Sequence, residues 1–271
     1  MAVKKNHLID FESVKSLNLE EYFYRNNLDE LIGVKSFVRP TEIGPNDTFE
    51  KEGGEVFSPD CADLSRLHAI VQIRKCLTVL ELGGGTSTKV IAHSLMLNQS
   101  KYLDNIAAVR RSDPFQLHSI ESEKHYAEIT TKTLGDLSGF VQMHVIEAVQ
   151  SSFGPYGCGR YKEIPSLCPD LIYIDGPSPY SYKKEDESYF DISHPDITNV
   201  TSDLLLLEPY LLPGTFVIFD GLTNNARFNR RNLQRNWVAF EDTTADYTMM
   251  VLDEEPLGIH HKNQIRFINE S

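Results

Sequence analysis

Five carboxylates recur at one kind of place in this chain. Glu81, Glu121, Glu147, Asp175 and Asp220 each stand at or just beyond the end of a short apolar run, and Asp175 and Asp220 are each followed by glycine. Acids so placed can take protons, accept from hydroxyl or amine donors, or ligate a hard cation. The first of them belongs to TVLELGGGTSTKVI, residues 78–91, where Glu81 precedes Gly83, Gly84 and Gly85 and then the hydroxyl residues Thr86, Ser87 and Thr88. Glycines between a strand and a helix let the backbone turn sharply and let a ligand approach where a Cβ would block it, while the helix start behind them offers free N–H groups. A dinucleotide site is spelled GxGxxG with an acid about 20 residues on. Here Thr88 stands where the third glycine belongs, and Glu81 lies ahead of the first. A pyrophosphate gains nothing from that glutamate, so the pattern suits a ligand with a positive charge and an amino group.

The elements that position these acids follow from the apolar runs themselves. Val79 to Leu82, Leu117 to Ile120, Val141 to Ile146, Asp170 to Ile174 and Thr215 to Phe219 alternate with helix-like stretches, the pattern of an α/β parallel sheet with helices on both faces. In such a sheet the ligand crevice lies at the carboxyl ends of the strands, so the five acids are expected to share one cleft. Trp237 to Phe240 and Tyr247 to Leu252 are separated by a linker too short for a crossover helix, which predicts an antiparallel C-terminal hairpin closing a seven-stranded, Rossmann-like sheet. Asn18, with Glu21 three residues on, predicts the start of an amphipathic helix carrying Leu19, Tyr22, Phe23 and Leu28. Residues 1–57 are read as an appendage, a lid or a subunit contact that would favour a homo-oligomer, and residues 58–271 as the main domain.

Charge and cysteines exclude some functions. With 26 basic and 39 acidic residues the net charge is −13, which repels a nucleic-acid backbone. No apolar stretch is long enough for a signal peptide or a membrane span, so the cytoplasm is the expected location. Cys61, Cys76, Cys158 and Cys168 form no CxxC pair and have no histidine at metal-ligand spacing, which predicts free thiols.

At Glu81-Leu82-Gly83-Gly84-Gly85-Thr86-Ser87 the chain resembles the class I S-adenosylmethionine-dependent methyltransferases, with Ser87 in place of the motif's last glycine. Ser119-Ile120-Glu121-Ser122-Glu123 resembles the second-strand motif whose carboxylate accepts from both ribose hydroxyls in that family. Ile146-Glu147-Ala148 resembles the segment at the adenine edge, and Leu211 to Thr215 the turn before the fifth strand. The resemblance spans roughly residues 58–255. It implies S-adenosylmethionine as cofactor, held by Glu81, Gly83, Gly85, Thr86, Ser87, Glu121, Ser122, Glu147, Ala148 and Asp175. The step from Glu81 to Glu121 is longer than the usual one of about 20 residues, which places an insertion near 98–115.

Within that superfamily, Asp170 to Gly221 resembles the small-molecule O-methyltransferases, many of which bind Mg²⁺ through the fourth-strand Asp and a fifth-strand acid pair. The matching metal ligands here are Asp175 and Asp220, but Gly221 replaces the second acid and Ser178 or Pro179 stands where a His would. Asp175, Asp220 and His194, the last in a long polar segment after the fourth strand, are the candidate catalytic groups. The run Arg227, Arg230, Arg231 and Arg235 would suit an anionic acceptor such as a phosphorylated sugar, or forms a solvated helix face. Tyr180, Tyr182 and Tyr189 line an acceptor pocket or stud a loop. The expected activity is methylation of a hydroxyl on a small molecule or glycan precursor, without nucleic-acid or membrane partners. The rivals are a nucleotide-cofactor oxidoreductase and a non-catalytic binding protein of the same fold.

Overall fold

The structure is a computed structural model that describes residues 11–39, 59–178, 181–183, 191–192, 194 and 196–269. Three short helices, α1 (Phe11–Lys15), α2 (Leu19–Arg25) and α3 (Leu28–Ile32), precede α4 (Cys61–Ile73). The alternating part then runs β1 (Thr78–Leu82), α5 (Thr86–Tyr102), β2 (Gln116–Glu121), α6 (Lys124–Thr133) and β3 (Val141–Val145). It continues through β4 (Ala148–Phe153), β5 (Tyr156–Tyr161), β6 (Leu171–Ile174), β7 (Tyr182–Lys183), α7 (Asp203–Leu207), β8 (Phe216–Asp220) and α8 (Thr223–Asn232). The chain closes with β9 (Trp237–Asp242), β10 (Tyr247–Leu252) and α9 (Gly258–Asn269).

Seven strands form the main sheet in the order β3-β2-β1-β6-β8-β10-β9. The first five are parallel, and β10 runs antiparallel to both β8 and β9, as the sequence predicts for a hairpin at the C-terminus. Both faces of the central strands are buried, which is why β6 reads as an unbroken apolar run and why even Glu81 of β1 and Thr248 of β10 are buried. The alternation along each strand divides the core in two. Val79, Leu117, Leu171, Phe216 and Met249 pack against Ile70, Val71, Ile91 and Leu95 of α4 and α5. Leu80, Ile120, Ile172, Val217 and Met250 pack on the other face with Leu204 and Ala226 of α7 and α8.

Register carries this alternation into the site. Glu81 pairs with Ser119 on one side and Tyr173 on the other, and Tyr173 pairs with Ile218. Asp175 and Asp220 follow two residues after Tyr173 and Ile218, which puts them on the α4 and α5 face by strand parity.

Three differences from the sequence reading have local causes. Asn18 does cap α2, accepting from Glu21 N–H, but Asn27 takes a left-handed φ of 52°, ends the helix and places Leu28 on α3. The N-terminal helices pack on the main domain, with Phe23 and Leu28 against Cys61 and the Tyr22 hydroxyl 2.8 Å from His68 Nδ1. The expected insertion is mostly regular: residues 98–102 are the last turn of α5, anchored by Asn98, whose amide donates to Val71 O and Cys76 O, and a 3-10 turn (Leu103–Ala108) follows. Finally, β4 and β5 form a hairpin joined by β7 into a second, three-stranded sheet that the sequence reading did not foresee. Its signal was Gly154-Pro155 between two short runs, with Gly154 at the positive φ of 57° that a tight hairpin turn demands. All four cysteines are free thiols. No helix among the described residues is long and apolar enough to cross a membrane.

Candidate functional site

The carboxyl end of β1 turns at Gly83 with φ of 102°, a conformation that L side chains rarely adopt. Space imposes the same choice. A Cβ at Gly83 would lie 2.8 Å from Gly176 N and 2.9 Å from Asp175 C, and one at Gly176 would lie 2.8 Å from Gly83 Cα. The glycine turn after β1 and the turn after β6 that carries Asp175 therefore touch backbone to backbone. Gly85, extended at φ of −177°, has open space where its Cβ would point, so this part of the turn leaves room for a ligand. Thr86 opens α5 behind it.

Glu81 sits beneath this turn and requires a correction. The sequence reading aimed it at a cationic ligand, but it is fully buried and its carboxylate is occupied by hydroxyl donors. Ser87 Oγ donates to Oε1 at 2.6 Å, and Thr88 Oγ1 and Ser119 Oγ donate to Oε2 at 2.6 and 2.5 Å. Thr88 Oγ1 also accepts from Gly85 N–H at 3.0 Å. A hydroxyl at the third-glycine position thus ties the turn to the sheet through Glu81. Burial pushes the Glu81 pKa up to about 7, against the pull of the three hydroxyls.

Around the turn lie the acids of the cleft. Glu121, half-buried at the end of β2, accepts from Glu123 N–H at 2.8 Å and from the Ser122 hydroxyl at 3.2 Å. Asp175 is exposed at the cleft, where the charges of Asp220, Glu81, Asp63 and Glu121 act on it. Desolvation first, and then the charges of Asp220 and Glu81, hold its pKa well above the ordinary carboxylate range. Asp220 accepts from the Tyr173 hydroxyl, and burial raises its pKa too. The structure adds Asp63, in the first turn of α4 behind the N-cap Asp60, which forms an ion pair with Arg66. Its pKa is pushed up to about 7 by burial and then by Asp220. The sequence held one signal for Asp63, a helix start spelled Asp60-Cys61-Ala62-Asp63, but nothing that placed it beside the fifth strand.

This donor set does not fit Mg²⁺. Asp220 is engaged by Tyr173, and Gly221 occupies the place of a second acid with a left-handed φ of 61°, its N–H bonded to Asp246 O. Among the described residues no group of three His, Cys, Asp or Glu side chains is arranged to hold a metal. Two carboxylates with one already bonded leave a hard cation short of protein ligands.

Other sequence candidates lie apart from this cluster. Glu147 is exposed and bound by Lys183 and, at 3.9 Å, Lys162, so its carboxylate is held at the accessory sheet, and Ala148 is buried at the start of β4. His194 is exposed, with Nδ1 accepting from Asp196 N–H at 3.2 Å. Arg227 pairs with Glu241 and Arg235 with Glu254, while Arg230 and Arg231 are exposed on α8. Tyr182 is buried and its ring fills the space beside Gly159. Tyr180, Tyr189 and Pro179 lie outside the described residues.

No protein-family model matches the chain, and no curated protein does. Solved structures are similar at low identity. The O-methyltransferase TomG of Streptomyces achromogenes, involved in tomaymycin synthesis and solved with SAM, is 15% identical with a TM-score of 0.40, over 90% of this chain and 95% of that one. An O-methyltransferase of Bacillus cereus solved with SAH is 15% identical with a TM-score of 0.41, over 91% and 97%. An RNA methyltransferase of Salinibacter ruber solved with SAH is 12% identical with a TM-score of 0.35, over 74% and 95%. Likenesses this weak decide neither chemistry nor acceptor. It is the strand order, with its reversed C-terminal hairpin, that gives the chain the Rossmann-like architecture implied by its motifs.

Proposed function

We propose that the protein is an S-adenosylmethionine-dependent methyltransferase acting on a hydroxyl of a small molecule or glycan precursor. The observation that carries this reading is the backbone contact between Gly83 and Gly176: whatever rests on the glycine turn lies beside Asp175. Holding a donor ligand and a proton-accepting group in fixed proximity is what a transfer reaction requires. The bound S-adenosylmethionine would supply an electrophilic methyl group. Glu121, an acceptor at the second strand end, is suited to two neighbouring ribose hydroxyls. Asp175, with its raised pKa, is a stronger base than an ordinary carboxylate and would take the acceptor's proton. Asp220, Tyr173 and Asp63 stand behind it as a hydrogen-bonded group of raised proton affinity.

Calorimetric titration with S-adenosylmethionine, S-adenosylhomocysteine and NAD tests this directly. Micromolar binding of the two sulfur ligands, weakened at least about tenfold in Glu121→Ala, is expected. Preference for NAD would favour the oxidoreductase, and binding of none of the three would remove the cofactor assignment. Binding without methyl incorporation into any hydroxyl acceptor would favour the non-catalytic binding protein.

A further inference from the structure

A cavity of about 840 Å³ opens at the amino end of the sheet, the opposite end from the cleft. It lies where Thr78 begins β1, before β6 and β8, and against the first turn of α9. Its volume falls in the range of small-molecule sites. Two arginines from the connection between α5 and β2 enter it. Arg111 has a side chain only 10% exposed; it pairs with the buried Asp170, but its Nε is buried without a hydrogen-bond partner among the described residues. Asp170 fixes that guanidinium firmly, since the same carboxylate accepts from Gln264 and from Leu77 and Thr78 N–H. Arg110 and His260 are exposed on the cavity wall, and neither forms an ion pair among the described residues. The first turn of α9, a helix of 12 residues, lines the same space; Leu257 N–H donates to His261 Nδ1 at 2.8 Å, and the next N–H groups have no carbonyl partner within the helix. Leu167, Leu212 and Ile259 give the wall an apolar patch, Ser112, Ser166 and His118 add polar groups, and Asp113 contributes one carboxylate.

On a chain of net charge −13, two arginines and the start of a helix converge on this one cavity, with the Arg111 charge matched by Asp170 and Arg110 left without an ion pair among the described residues. We propose that the cavity is a second ligand site, separate from the cleft, for a phosphate-bearing small molecule with an apolar body. Arg110, His260 and the start of α9 receive the phosphate oxygens, with Arg111 behind them, since guanidinium forks and helix starts both suit tetrahedral oxyanions. The apolar patch covers the rest of the ligand. This assignment does not depend on the methyl-transfer reading.

Phenyl phosphate is the probe, with inorganic phosphate as the control that lacks the apolar body. Calorimetry on the full chain is expected to show saturable binding of phenyl phosphate, tighter than that of inorganic phosphate. Arg110→Ala and His260→Ala, both surface changes that leave the melting temperature in place, should each weaken it about fivefold. Saturating S-adenosylhomocysteine should leave that affinity unchanged. The proposal is overturned by absence of binding up to about 10 mM, by affinity that neither variant alters, or by displacement of the probe by S-adenosylhomocysteine.

Discussion

Two aspartates flank the four-residue strand β6, and their surroundings are opposite. Asp170, before the strand, is 5% exposed and its two oxygens accept from Arg111, Gln264 and two backbone N–H groups. Asp175, after it, faces an open cleft among Asp220, Glu81, Asp63 and Glu121. One carboxylate is compensated in full by the protein, and the other is surrounded by its own kind. A fold gains stability from the first arrangement and none from the second, which marks the carboxyl end as the place where a ligand completes the electrostatics.

Asp170→Ala should break the comparison most forcefully. It leaves the Arg111 guanidinium buried without its counter-charge, at a cost of about 3–5 kcal/mol, read as a lower urea midpoint. A midpoint shift below about 1 kcal/mol would mean that the amino end is no better built than the other.

Glu81→Gln sharpens the contrast through pH. A carboxyl whose folded pKa is raised to about 7 contributes stability below its ordinary value near 4.5, and that contribution is lost as pH rises through 7. For Glu81 the loss amounts to about 3 kcal/mol at most. The amide variant should therefore lose less melting temperature than the parent between pH 5 and pH 8, because the Thr88 and Ser119 hydroxyls can turn to accept from its Nε2. Equal slopes in the two proteins would show that Glu81 does not titrate in this window.

Asp175→Asn should leave folding and cofactor affinity nearly unchanged while lowering turnover about a hundredfold. In the parent, kcat/KM should rise with pH through an apparent pKa above that of ordinary carboxylates, because the base acts only when ionised. Undiminished turnover in the variant would remove Asp175 from the reaction. The smallest effect is expected at Arg227→Ala, where the lost pair with Glu241 is exposed, so the melting temperature should stay in place.

Much of the carboxyl end was legible because it is written locally. A strand ending in an acid, a glycine run, and an acid followed by glycine are each readable within a few residues. The parallel set of five strands and the closing hairpin followed from the alternation of runs and the short linker before β10. What escaped was long-range. Glu81 faces a cleft by strand end but is consumed by hydroxyls of α5 and β2, a fact that only the register with Ser119 reveals. Asp63 meets Asp220 through helix packing, and no local pattern encodes that meeting. The cavity at the amino end is assembled from connections spread between Thr78 and Gln264, including the stretch near 98–115 whose role the spacing alone left open.

The Gly83–Gly176 contact also bears on how this protein can drift or be engineered. Because each residue's missing side chain is the space the other occupies, the two positions form a lock whose halves are far apart in sequence, and neither can change alone. Attempts to give the scaffold a new acceptor should therefore leave both positions fixed and vary the accessory sheet instead.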